Sequence, residues 1–203
     1  MIKEVLLLFD LRIYILVRNV YRRRNLMNQR KLVLFIAQSL DGYIATKEES
    51  LEWLFKVEGE GDNGYSEFLA TIDTIFMGKR TYDWLMAEVK GDFPYKEQQC
   101  YVFSRTPLED TECVSFINGD IVGFTSKLKE QKGKNIWIVG GGDLLHTFLK
   151  EKLVDELFLT IAPTIIGEGI PLFKEGDYQL DLSLKGTRTF NQFVELNYLV
   201  EKQ

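Results

Sequence analysis

Short, unbroken apolar runs that empty into glycine or cationic turns, and then into helix-periodic segments, most narrow what this chain can become. Leu32-Val-Leu-Phe-Ile-Ala37 is one such run and Asn135-Ile-Trp-Ile-Val139 another; both have strand length and no polar alternation. A strand apolar on both sides is covered on both sides, the condition of a parallel sheet sandwiched between helices. Thr74-Ile-Phe-Met77 and Cys100-Tyr-Val-Phe103 repeat the pattern. Helical periodicity runs through Tyr65, Phe68, Leu69 and Ile72, with Asp62 or Asn63 as cap, then on to about residue 88 after the second run. It returns over roughly 121–132 and through Leu144, Leu145, Phe148 and Leu149. The tail is strand-rich: Glu156–Ile161, Leu182–Leu184 and Phe193–Val200. Alternation followed by paired strands predicts an α/β fold, a three-layer sandwich whose mixed, mainly parallel sheet has helices on both faces and antiparallel C-terminal strands.

Composition bounds the remaining choices. The 203 residues suffice for one buried core, and residues 31–203 read as a single domain. Two cysteines, Cys100 and Cys113, cannot build a disulfide framework and read as reduced thiols of a cytoplasmic protein. Cys113 is expected to be buried, whereas Cys100, at a strand start, can be exposed. Residues 1–26 carry a net charge of +4, which leaves −9 on the rest of a chain whose total is −5. An acidic body repels phosphate backbones, so nucleic acid is not an expected partner.

Residues 1–30 do not match the rest. The apolar stretch Val5–Val17 is interrupted by Asp10 and Arg12 and falls short of the roughly 20 residues a bilayer requires. Its positive charges follow the apolar run, the reverse of a signal peptide. Arg22-Arg-Arg-Asn-Leu-Met27 is what a purine-rich ribosome-binding site and its spacer would spell in frame, which makes Met27 the expected start. An amphipathic helix packed on a neighbour is the alternative.

Three strand-to-helix junctions have the composition of a ligand site. Gly140-Gly-Gly142 follows one strand and opens a helix; glycines permit close backbone approach, and a helix N-terminus favours an anion. It is not the G-x-G-x-x-G fingerprint, and a tight turn with no ligand fits the same residues. Gly78-Lys79-Arg80-Thr81 offers two cations and a hydroxyl at a helix start, suited to a phosphate or simply solvated. Ser104-Arg105 closes a third strand with a hydroxyl and a guanidinium, as a 2′-phosphate would need. A dinucleotide with a pyrophosphate and an extra ribose phosphate needs several such points. The lone histidine, His146, has no partner ligands in sequence, so no metal site is expected.

Ser39-Leu-Asp-Gly-Tyr-Ile-Ala45, Met77-Gly-Lys-Arg-Thr81, Val102-Phe-Ser-Arg105, Val139-Gly-Gly-Gly142, Leu153-Val-Asp-Glu-Leu157, Ile161-Ala-Pro-Thr-Ile-Ile-Gly167 and Ile170-Pro-Leu-Phe173, in this order, resemble the dihydrofolate-reductase-like superfamily. The branch is the one sharing the reductase domain of bacterial riboflavin biosynthesis, the RibD C-terminal domain. The resemblance spans about residues 31–200 and implies an NADPH-dependent oxidoreductase that transfers hydride to a small heterocycle, pterin- or aminopyrimidine-like. It implies that Ala37 and Ile44 flank the nicotinamide and that Gly78, Lys79, Arg80 and Thr81 face the phosphates. Ser104 and Arg105 would then surround the 2′-phosphate, with Gly140, Gly141 and Gly142 against the pyrophosphate. Asp62 and Glu67 are the candidate proton donors, and Trp53 and Phe68 candidate stacking partners for a flat substrate; capping, solvation and core packing are the competing roles of these four. A homodimer is expected by the same resemblance. Between Asp41 and Met77 only Lys47 and Lys56 face nine carboxylates, an acidic rim unsuited to a phosphorylated substrate. The rivals are an NADPH-binding module without activity and a broad detoxifying reductase.

Overall fold

The computed structural model describes residues 30–202; the readings of the N-terminal extension, including Met27 as the start, lie outside the described residues. The first apolar run is β1 (Leu32–Ser39), followed after a tight turn by β2 (Tyr43–Ala45) and the short helices α1 (Glu52–Phe55) and α2 (Tyr65–Leu69). Then come β3 (Ile72–Gly78), α3 (Lys79–Glu88), β4 (Gln99–Phe103), β5 (Val114–Ile117), α4 (Ile121–Lys129), β6 (Asn135–Gly140) and α5 (Gly142–Lys150). The chain closes with β7 (Glu156–Ala162), β8 (Ile170–Pro171), β9 (Leu182–Phe190) and β10 (Phe193–Val200).

Eight strands form one sheet in the order β5-β4-β3-β6-β1-β7-β10-β9. The first six are parallel, and β10 and β9 are antiparallel additions, as the alternation predicted. Val33, Ile75, Met77, Val102 and Trp137 bury one face against α2 and α3. Leu32, Leu34, Phe76, Ile136, Ile138 and Leu157 bury the other against α4 and α5. The central strands β1, β3 and β6 thus lack polar alternation because both sides are core.

Three differences from the sequence reading have physical causes. Strand β9 runs to Phe190, well beyond Leu184, because Lys185-Gly-Thr-Arg-Thr189 is polar and Gly-broken; only pairing with β10 makes it a strand. Strand β5 is a four-residue edge too short to read. The cysteines exchange places: Cys100 is buried in β4, flanked by β3 and β5, and burial pushes its thiol up to about 12, whereas Cys113 is half-buried just before the edge strand.

The amino end of the parallel sheet is stapled by ions. Arg30 is buried, pairs with Asp73 and donates through Nε to the Lys134 carbonyl at 2.8 Å. Asp155 accepts from the Leu32 amide at 2.7 Å and from Lys129 Nζ at 2.5 Å, and pairs with Lys202. Burial lowers the Lys129 ammonium pKa despite that partner. Glu156 lies between Lys31 (2.8 Å) and Lys185 (2.7 Å).

Candidate functional site

The carboxyl ends of β4, β3 and β6 lie side by side, with Gly78 opposite Phe103 and Met77 opposite Gly140. All three junctions singled out from sequence therefore emerge at one end of the sheet. The glycines let two of them touch. A side chain at Gly141, whose φ is +103°, would meet the Gly78 backbone at 3.3 Å, and one at Gly140 would meet Thr81 Cγ2 at 3.4 Å. Neither α3 nor α5 has a side-chain cap on its first turn, so two sets of helix N-terminal amides face the same place without an internal acceptor.

The cations at this end differ in availability. Lys79 is committed to its own helix, donating to both Asp83 oxygens at 2.6 and 2.7 Å. Arg80 reaches the loop after β2 and pairs with Glu49, with its side chain largely in solvent. Arg105 is 89% exposed and pairs with Asp143, at 3.2 Å. Asp143, at the start of α5, is held below the usual carboxylate range chiefly by Lys174, 2.5 Å away, with Arg105 adding to the effect. Ser104 shares a 3.3 Å hydrogen bond with Thr106. Ala37 and Ile44 are half-buried at the end of β1 and in β2. Asp41, not singled out for any role, ties these segments to the 163–169 loop. It accepts from Ser39 Oγ at 2.6 Å and the Gly167 amide at 2.8 Å, and these bonds lower its pKa.

The proposed acids are employed otherwise. Asp62 is exposed and caps α2, accepting from the Ser66 amide at 2.8 Å and the Gly64 amide at 3.1 Å. The bonds from Ser66 lower its pKa, the opposite of what proton delivery near neutrality requires. Glu67 is exposed and bonded to Arg188 Nη1 at 2.6 Å. Phe68 is core, stacked on Phe35 with centroids 4.3 Å apart. Trp53 is buried with Ala162 and Phe193, and its indole N–H has no partner among the described residues. Nor is the acidic rim continuous, since Asp73 lies at the opposite end on Arg30 and the Lys134 amide. His146 is half-buried, edge-on to Tyr178, and no group of three metal-competent side chains occurs among the described residues.

Sequence reasoning missed Glu195. It is 1% exposed in the middle of β10, where Arg188 Nε donates to Oε1 at 2.8 Å and Oε2 has no partner among the described residues. The available signal was the alternation Phe193-Val-Glu-Leu-Asn197, which puts a charge and an amide on a face otherwise apolar.

Among the described residues no helix is long and apolar enough to cross a membrane. The description "RibD C-terminal domain" matches residues 30–196. YwjB, an uncharacterized Bacillus subtilis (strain 168) protein, is 47% identical, with 84% of this chain and 98% of that one covered. YyaP from the same strain, also uncharacterized, is 37% identical, covering 84% and 94%. A Shewanella sp. PV-4 protein named for riboflavin biosynthesis superposes with a TM-score of 0.76 at 30% identity, over 85% of this chain and 99% of that one. Dihydrofolate reductase from Enterococcus faecalis, solved with NADP(H), shares the fold at a TM-score of 0.62 and 18% identity, covering 86% and 98%. The match over residues 30–196 and the 47% and 37% identical relatives decide the family, and the fold is that of dihydrofolate reductase: the chain belongs to the RibD C-terminal domain family.

Proposed function

We propose that the protein is an NADPH-dependent reductase of a small, flat heterocycle. The observation that carries this reading is the back-to-back contact of the Gly78 and Gly141 junctions beneath two uncapped helix N-termini. A side chain at Gly141 would press on the Gly78 backbone at 3.3 Å, so only bare glycine lets the two turns come together and offer their amides to one pyrophosphate. Gly78, Thr81, Gly140, Gly141 and Gly142 would hold that group, with Arg80 at its side. Lys79, tied to Asp83, would contribute only on leaving that pair. Arg105 and Ser104 would take the 2′-phosphate, with Arg105 exchanging Asp143 for the incoming anion. Ala37 and Ile44 would flank the nicotinamide. The cofactor would supply hydride; the protein's share is to orient the ring, exclude water and hold the acceptor.

One observation favours a rival, a module that binds the dinucleotide without turnover: Asp62 and Glu67 both serve structural bonds. Calorimetric titration with NADPH and NADH, followed by NADPH oxidation over a heterocycle panel, separates the readings. Binding with turnover is expected. Binding without turnover on any ring supports the module, and absence of NADPH binding overturns both.

The homodimer expected from the resemblance would use the tail, where β9 is the outer edge of the sheet and carries exposed Leu182 and Leu184. Sedimentation of the full chain, with Leu184→Glu as the dissociating variant, tests this; a wild-type monomer would contradict it.

A further inference from the structure

We propose that Asp143 is a built-in substitute for a cofactor phosphate: it holds Arg105 and Lys174 beside the glycine triplet, and a bound dinucleotide takes its place on both. Lys174 is thereby a further cation of the phosphate site, and Asp143 a brake on its occupation. The identity of the displacing anion rests on the reductase reading; the ion cluster does not.

Three segments meet at this cluster. Asp143 is the second residue of α5, Arg105 lies in the turn after β4, and Lys174 lies in the loop after β8. Asp143 gives each cation one oxygen: Lys174 Nζ donates to Oδ1 at 2.5 Å and Arg105 Nη2 to Oδ2 at 3.2 Å. Among the described residues neither cation pairs with another carboxylate.

Lys174 stands where its charge is unwelcome. Its stem crosses the first residue of α5, since a side chain at Gly142 would meet Lys174 Cε at 3.1 Å and Nζ at 3.8 Å. An ammonium at the amino end of a helix faces the positive pole of the helix dipole, which is unfavourable unless an anion accompanies it. The loop is nevertheless fastened there. Leu172 is 1% exposed in the core, and the Tyr178 hydroxyl donates to the Lys174 carbonyl at 3.0 Å. The Tyr178 ring in turn lies edge-on to His146 of α5, with centroids 5.4 Å apart.

A fold that brings two cations to a positive helix end needs an anion between them, and Asp143 fills that part with a single charge. It does so loosely, because Asp143 and Arg105 stand mostly in solvent and Lys174 is partly exposed; such pairs exchange readily. A dinucleotide with a 2′-phosphate brings two anionic groups instead of one. Its 2′-phosphate would take Arg105, and its pyrophosphate, against Gly142 and the uncapped amides of α5, would take Lys174.

The test is calorimetric titration of the full chain with NADPH, NADH and inorganic pyrophosphate. Asp143→Asn should bind NADPH about fivefold more tightly than wild type, and NADH and pyrophosphate about twofold, because only Lys174 is released to those two. Lys174→Met should weaken NADPH and NADH alike, by about threefold. In a Lys174→Met background, Asp143→Asn should no longer improve NADH. All three side chains reach solvent, so unfolding midpoints should match that of wild type. Unchanged or weaker NADPH binding by Asp143→Asn, no loss on Lys174→Met, or an equal NADH gain in both backgrounds overturns the inference; the last result would reduce Asp143 to diffuse negative charge. NADPH binding that neither substitution alters keeps the reductase reading and removes the brake. Pyrophosphate bound more tightly by Asp143→Asn, with NADPH bound by no form, keeps the brake and removes the reductase reading.

Discussion

The two ends of the parallel sheet carry similar cations and use them differently. At the amino end Arg30 and Lys129 are buried against Asp73 and Asp155, and Lys31 and Lys185 close on Glu156. At the carboxyl end Arg105 and Arg80 stand mostly in solvent, Arg105 against exposed Asp143 and Arg80 against half-buried Glu49, above glycines that leave backbone bare. Buried pairs fix the fold because losing either member strands a charge; exposed pairs are worth little and exchange readily. A chain that has to capture an anion keeps its cations in the second condition.

Substitutions at the two ends should therefore separate stability from binding. The largest effect is expected from Asp155→Ala, which leaves buried Lys129 without its carboxylate and the Leu32 amide without its acceptor. Urea unfolding should show a loss of about 3–5 kcal/mol, with NADPH affinity unchanged at temperatures where the variant is folded. A fall in affinity as large as the fall in stability would erase the distinction. Gly141→Ala comes next. Its positive φ and the 3.3 Å approach to Gly78 cost about 1–2 kcal/mol in stability, and NADPH affinity should drop by at least about tenfold. Arg105→Ala should leave unfolding unaltered and weaken NADPH about fivefold relative to NADH; equal weakening of both would remove the 2′-phosphate assignment.

The smallest effect concerns acid. Burial pushes the Glu156 carboxyl up, but hydrogen bonds from Lys185 and Lys31 outweigh it and hold the group below its ordinary 4.5. A depressed folded-state pKa means that the unfolded chain binds the proton first. The stabilisation is then complete above about pH 4.5 and lost as pH falls through the folded value. Thermal unfolding of Glu156→Gln should start from a lower midpoint at pH 7 and decline less steeply below that pH than wild type. Parallel curves would show that this pair contributes nothing to acid sensitivity.

The carboxyl end was legible in sequence because its signals are local. Gly140-Gly-Gly142 and Gly78-Lys-Arg-Thr81 each follow an apolar strand, and parallel strands necessarily end on the same side. The antiparallel extension was not legible. Lys185-Gly-Thr-Arg-Thr189 has no apolar period, and Glu195 acquires its character only when Arg188 arrives from the neighbouring strand. Asp62 carried two readings for a related reason: a carboxylate two or three residues before a helix serves equally as cap or acid, and only its bonds to Ser66 and Gly64 mark the cap. The exchange of roles between Cys100 and Cys113 likewise depended on β5, whose four residues are too few to announce a strand.

Arg188 joins three elements, gripping Glu195 on β10 from its own strand while holding Glu67 on α2. The grip on Glu195 is sheltered; the one on Glu67 is open to ions. α2 is only five residues long, and on the β9–β10 hairpin side its polar tie is a bond that dissolved salt weakens. Rising ionic strength should therefore free the Arg188 guanidinium from Glu67 without releasing it from Glu195, while Phe68, stacked on Phe35, keeps α2 seated on the sheet.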